Sequence, residues 1–247
     1  MPELQSGLTV FVPVYNEEAI VKPNTQRLLA YLESLNLPYE IIIGSNGSTD
    51  HTVPLLQELA ASHPPVRFFH LPEKGVGTAF VQGVRMARFD RIVTVDMDLS
   101  IDLAFIARAG KLLETHDIVI GSKITGDQKR PWIRKFASNL FIQLARVLLG
   151  IGFHDYSIAA KGYQTKAIEN YLDRVDKKTF YVVLLVFFAT HDGARITEVP
   201  VSCCDMRGSR FNLVHEGFYK FGNLFLLWLR SCLSRFGPRI DKPPQTH

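Results

Sequence analysis

Five short apolar runs, at residues 8–13, 39–43, 66–70, 92–95 and 118–121, are separated by segments whose apolar residues recur at helical spacing. Such short runs, most of them rich in Val and Ile, read as strands buried on both faces. Strands that alternate with helices read as a mainly parallel sheet flanked by helices. The helices are expected at 25–35, where Leu28, Leu29, Leu32 and Leu35 share a face, at 52–62 before Pro64 and Pro65, and at 78–88 and 103–114.

The fourth run ends in chemistry. Ile92-Val93-Thr94-Val95 leads straight into Asp96-Met97-Asp98-Leu99-Ser100. Open α/β sheets collect ligands beyond the carboxyl ends of their strands, where Asp96 and Asp98 fall. Paired carboxylates there can hold a divalent cation, and oxygen-only donors favour magnesium or manganese. A solvated Asp-x-Asp turn is the plainer alternative.

With 247 residues, 47% hydrophobic and 21% charged, the chain can bury one α/β domain, with room for a small C-terminal addition. A net charge of +4 permits nucleotides, phosphates or anionic lipid as partners, and nucleic acid is not expected. Three cysteines, with Cys203 and Cys204 adjacent, fit neither a disulfide framework nor a zinc site and suggest a reduced, cytoplasmic setting. Residues 1–8 show no secretion signal. The apolar runs 181–189 and 224–229 are well short of the roughly 20 residues that span a bilayer. No Gly-x-Gly-x-x-Gly follows the first strand, which argues against a Rossmann dehydrogenase.

Beyond Gly121 the rhythm changes. A basic loop at 126–134 carries Lys129, Arg130 and Arg134 around Pro131 and Trp132, and an amphipathic helix is expected at 135–149. A strand at 196–201 and a long helix at 215–236 follow, then a loose tail. The last helix sets Phe218, Phe221, Phe225, Leu229 and Phe236 at helical spacing, with Trp228 alongside and Lys220, Arg230 and Arg235 at its flanks. That pattern fits a core helix and a helix lying in a membrane interface equally well. The expected division is a catalytic domain over 1–212 and this amphipathic helix and tail over 213–247.

Three motifs in order now stand out: Val12-Pro13-Val14-Tyr15-Asn16-Glu17-Glu18, Asn46-Gly47-Ser48-Thr49-Asp50 and Asp96-Met97-Asp98. Together they resemble the opening motifs of family 2 glycosyltransferases with the GT-A fold, over roughly residues 8–235. The later part is most similar to polyprenyl-phosphate sugar transferases, the group that includes dolichol-phosphate mannose and glucose synthases. It does so through Gly121-Ser122-Lys123, the basic loop and helix, His154-Asp155, Glu198-Val199-Pro200-Val201 and Arg207-Gly208-Ser209-Arg210.

The resemblance implies an inverting transfer of a hexose from a nucleotide diphosphate sugar to a polyprenyl phosphate. Pro13, Tyr15, Asn16, Glu17, Asn46 and Asp96 would bind the nucleotide. Asp96, Asp98 and Ser100 would hold magnesium or manganese, with Ser100 standing where relatives often have Gln. Lys123, Arg134 and Arg210, with Arg207, would clamp phosphates, and Asp155 would face the acceptor. Asp50 can equally be only a helix cap, and Gly75 and Gly77 either admit the nucleotide or form an ordinary loop. Peripheral attachment to the cytosolic face of a membrane is expected, with a membrane-protein partner left open.

Some family positions are altered. The acidic segment of relatives appears as Tyr181-Val182-Val183-Leu184, and an Asp-Asp-Gly-Ser as Ser45-Asn46-Gly47-Ser48. A family 2 transferase with a non-lipid acceptor, or a non-catalytic relative that binds nucleotide or a membrane partner, therefore stays open.

Overall fold

The computed structural model describes residues 4–122, 132–156, 158–202 and 213–236, the side chains of 132–136, 213–215 and 234–236 excepted. The described residues divide into two compact units, one drawn from 1–129 and 153–208, the other from 130–152 and 209–247.

The first unit is built on a seven-stranded sheet. Its strands are β1 (Gln5–Val14), β2 (Tyr39–Asn46), β3 (Val66–Leu71), β4 (Phe89–Thr94), β5 (Ile118–Ser122), β6 (Lys161–Gln164) and β7 (Ile196–Pro200), in the spatial order β3-β2-β1-β4-β6-β5-β7. β1 runs parallel to β2 and β4, β2 to β3, and β5 to β7. Val10, Ile41, Ile42, Ile43, Ile92 and Val93 are fully buried, as the apolar runs require. The helices α1 (Val21–Glu33), α2 (Thr52–Ser62), α3 (Val76–Met86) and α4 (Ala104–Leu112) connect the first strands. The first helix begins four residues before the expected start, because Pro23 lies in its first turn, where a missing N–H costs nothing.

Two features depart from the simple alternation. β6 is antiparallel to both neighbours and separates β4 from β5. The apolar run after residue 180 is α7 (Tyr181–His191), a helix with Tyr181, Val182, Val183, Leu185, Val186, Phe187 and Ala189 all buried. Such a helix has no polar face because it has little contact with solvent. α6 (Thr165–Ile168) and a 3₁₀ turn (Glu169–Arg174) lead into it.

The second unit pairs α5 (Trp132–Leu149) with α8 (Leu213–Phe236) through an edge-to-face contact of Phe141 with Phe221, at 5.5 Å between ring centres. Leu224 and Leu227 are buried. Phe218, Phe225, Leu226, Leu229 and Leu233 are exposed, Phe218 at 79% and Leu233 at 70%. At 100° per residue these five fall within one stripe, so α8 has a packed apolar face and a second, solvent-facing one. No helix among the described residues is long and apolar enough to cross a membrane.

Candidate active site

From β1 the chain steps to β2 and β3 on one side, then returns to place β4 on the other. That reversal is a topological switch point, and the crevice lies at the carboxyl ends of β1 and β4. Pro13 helps to open it. The Val95 amide donates to the Phe11 carbonyl at 3.1 Å, so residues 11 and 13 turn their backbone groups toward β4. Pro13 has no N–H to continue that ladder, and the pairing stops.

The loops after β1 and β2 are laced together. Asn16, in the left-handed region at φ 54°, donates its amide N–H to Ser48 Oγ (3.1 Å) and accepts the Thr49 N–H on Oδ1 (2.8 Å). The Glu17 amide donates to Thr52 Oγ1 at 2.8 Å. Asp50 accepts the N–H groups of Glu18 (3.2 Å) and Thr52 (3.0 Å). Burial tends to raise the Asp50 pKa, but hydrogen bonds from the Thr52 side chain and amide and from the Glu18 amide outweigh it and lower the pKa overall. Asp50, just before the N-cap at His51, thus ties the start of α2 to the loop after β1. Buried Asn46 donates to the Val14 carbonyl (2.8 Å) and accepts the Gly75 amide (3.3 Å). Both ends of its amide group brace the crevice wall. Above that wall the Lys74 ammonium lies 3.7 Å from the centre of the Tyr15 ring.

Asp96 and Asp98 ride on a strained turn. The Leu99 amide donates to the Asp96 carbonyl at 3.1 Å, and Leu99 itself has φ 49°. A non-glycine residue there costs on the order of 1–3 kcal/mol and persists only if its surroundings enforce it. They do. Met97, Leu99 and Ile101 are buried, Asn24 of α1 donates to the Met97 carbonyl at 2.8 Å, and Asp98 Oδ1 accepts the Ser100 amide at 3.0 Å. Asp96 is left exposed and Asp98 half-buried. The Tyr181 pKa is raised, first by burial and then by the charge of Asp96, which sets the start of α7 within electrostatic reach of this turn. Among the described residues no three His, Cys, Asp or Glu side chains form a ready-made metal cage. An all-oxygen pair of carboxylates with a serine fits a hard cation that takes its other ligands from a diphosphate and water.

On the far side of β4, Lys161 begins β6 in register with Thr94 and Ile120. It is 1% exposed, and its ammonium donates to the Ile158 carbonyl at 2.8 Å. A buried ammonium is costly unless paired and hydrogen-bonded. Asp155, also buried, accepts the Ile158 amide on Oδ1 at 3.1 Å. His154 next to it is bound twice by Glu198 of β7: its amide to Oε1 at 2.8 Å and its Nδ1 to Oε2 at 2.7 Å.

A model of the family described as "Glycosyl transferase family 2" matches residues 9–172. The chain belongs to that family. It is 28% identical over 196 residues to the undecaprenyl-phosphate 4-deoxy-4-formamido-L-arabinose transferase of Serratia proteamaculans (strain 568), covering 78% of this chain and 59% of that protein. It is 27% identical over 244 residues to glycosyltransferase AglD of Haloferax volcanii, covering 95% of this chain and 38% of that one. This family 2 chain thus spans about 59% of the length of the first of these relatives. Its fold is that of glucosyl-3-phosphoglycerate synthase from Mycobacterium tuberculosis, crystallised with UDP, at a TM-score of 0.66 and 18% identity over 92% of this chain and 80% of that one. The same enzyme has been crystallised with Mn2+, UDP-glucose and phosphoglyceric acid, at a TM-score of 0.66 and 17% identity over 90% of this chain and 79% of that one. The GT-A fold expected from the motifs is therefore present.

Pro13, Tyr15, Asn16, Glu17, Asn46, Asp96, Asp98 and Ser100 all lie at the carboxyl end of the sheet, on β1, β2 and β4 or the loops that follow them. Lys123, Arg207 and Arg210 lie outside the described residues, as does the side chain of Arg134 in α5. Gly75 and Gly77 face protein. A Cβ on Gly77 would sit 2.0 Å from the Asp176 carbonyl oxygen, and the amides of Gly77 and Thr78 donate to the Lys177 carbonyl at 3.0 and 3.2 Å. These glycines let the start of α3 press against the loop before α7. Asn24 and Lys161 had no sequence signal of their own. For Asn24 the one available hint is an amide set in the first turns of an otherwise apolar-faced helix.

Proposed function

We propose that this chain transfers a hexose from a nucleotide diphosphate sugar to a polyprenyl phosphate, with inversion at the anomeric carbon. The observation that carries the reading is the pair Asp96 and Asp98 on an enforced turn at the switch point, at the same end of the sheet as the laced loops of β1 and β2. The names of the relatives, undecaprenyl-phosphate sugar transferases, support the acceptor class. The resemblance to polyprenyl-phosphate synthases supports inversion.

In this reading Tyr15, Asn16 and Glu17 hold the nucleoside, and Asn46 and Asp50 keep their loops in place. Asp96 and Asp98, with Ser100, would hold magnesium or manganese, which supplies charge neutralisation for the departing diphosphate. Lys123, Arg134 and Arg210 receive the phosphate of the acceptor, and Asp155 faces it. Val182 is buried in the first turn of α7, where relatives carry carboxylates, so that turn offers no general base. A phosphate monoester needs none: its second pKa is about 6, and it is largely dianionic at neutral pH. The exposed stripe of α8, with Arg230 beside it, suits insertion into a bilayer surface that carries the lipid acceptor.

The test is a panel of UDP- and GDP-hexoses with undecaprenyl phosphate in mixed micelles, with Mn2+ or with EDTA, read by mass spectrometry of the lipid. Metal-dependent glycosylation of the lipid phosphate is expected for one donor. The apolar turn of α7 favours one second reading, a non-catalytic nucleotide-binding relative. Donor binding without transfer or hydrolysis across the whole panel would establish that reading instead.

A further inference from the structure

Asp155 rides on a bridge. In the sheet, Ile120 of β5 is flanked in register by Lys161 of β6 on one side and by Glu198 of β7 on the other. In-register side chains of adjacent strands share a face. Residues 153–156 and 158–160 precede Lys161 in sequence and are tied to both of these anchors, and the Gly121 amide of β5 donates to the Ala160 carbonyl at 2.8 Å. At the β6 anchor, Lys161 holds the Ile158 carbonyl while Asp155 holds the Ile158 amide. At the β7 anchor, Glu198 holds both the backbone amide and the ring of His154. Inside the bridge the Phe153 amide donates to the Tyr156 hydroxyl at 3.2 Å.

An exposed ion pair usually contributes little, and the His154 side chain is 60% exposed. Glu198 differs. Its side chain is only 15% exposed, and its two oxygens are divided between the main chain and side chain of one residue. A two-point grip fixes the direction of the chain as well as its position. The next residue is Asp155.

We infer that His154 and Glu198 are positioning residues: their clamp sets Asp155 at the acceptor side of the site. The inference rests on the proposed role of Asp155 toward the acceptor. It adds a function to two residues, 44 positions apart, that touch no substrate in that scheme.

The test compares wild type with His154→Ala, Glu198→Ala, the double variant and His154→Asn, whose amide nitrogen can replace Nδ1 as donor to Glu198. The first readout is amide hydrogen exchange of residues 153–158. The second is transfer from the donor found by the panel to undecaprenyl phosphate, with KM for donor and acceptor measured separately. Both Ala variants should exchange faster over 153–158 and lose about tenfold in kcat/KM for the acceptor, with donor KM within about twofold. The double variant should be no worse than the poorer single one, as a shared contact requires, and His154→Asn should recover most of the loss. Unchanged exchange in the Ala variants would overturn the clamp, whether or not the wild type transfers sugar. Faster exchange with equal losses on donor and acceptor, or with additive losses, would overturn its role toward the acceptor. A wild type that transfers nothing defeats the proposed function, and with it the acceptor role, while the exchange data still decide the clamp.

Discussion

Asp98 spends one carboxylate oxygen on the Ser100 amide just beyond the end of β4. Asparagine would preserve that hydrogen bond through its Oδ1 and remove only the charge. Asp98→Asn should therefore fold normally and lose about a hundredfold or more of Mn2+-dependent turnover. Unaltered metal-dependent transfer, measured beside an unchanged melting temperature, would remove Asp98 from the site. A second residue speaks through pH. Tyr171 donates to the Asp192 carboxylate, and its pKa is pushed from 10.0 up to about 12, first by burial and then by that hydrogen bond and charge. The folded state thus holds this proton more tightly than the unfolded one. The contribution is fully present below pH 10 and is lost as pH rises toward about 12. Melting temperature should drop over that interval, and Tyr171→Phe should flatten the drop; an identical profile in the variant would refute the assignment.

At the scale of elements, the strands that frame the crevice are legible because burial on both faces writes them as apolar runs. β6 is not. Lys161-Gly162-Tyr163-Gln164 holds a buried ammonium and a glycine, and its strand state comes from neighbours that lie far away in sequence. α7 is hidden for the opposite reason: an all-apolar run has no period, and helix and strand look alike. Gly75 and Gly77 at the start of α3 point to close approach, but their partner lies about a hundred residues on, at Asp176 and Lys177. In the same way His154 and Glu198 are each visible as motif residues, while their contact is a product of the β5–β7 pairing. For α8 the sequence offers one apolar stripe where the structure has two faces. Phe221 packs on Phe141, and Phe225 and Leu229 face outward. Replacing Phe225 and Leu229 by Ser should leave the melting temperature within about 2 °C and release the protein from anionic liposomes in a flotation assay. Retained flotation would show that this stripe is not the membrane contact.

On the proposed function, the molecule as a whole has a donor crevice at the β1–β4 switch point and an acceptor side bordered by β6, β5 and β7. The two sides differ in chemistry. The donor side has Asp96 and Asp98, whereas the first turn of α7 carries Val182 and Leu184 where the family resemblance implies acidic residues. In the proposed reaction such a turn suits a nucleophile that arrives already ionised. The most direct measurement follows from this: rates of transfer to undecaprenyl phosphate and to undecaprenol, compared side by side with the same donor, Mn2+ and micelles. Transfer to the phosphate is expected, with a rate at least about a hundredfold lower for the alcohol, since the alcohol needs a base that the turn lacks. Equal rates, or a preference for the alcohol, would contradict the proposed function.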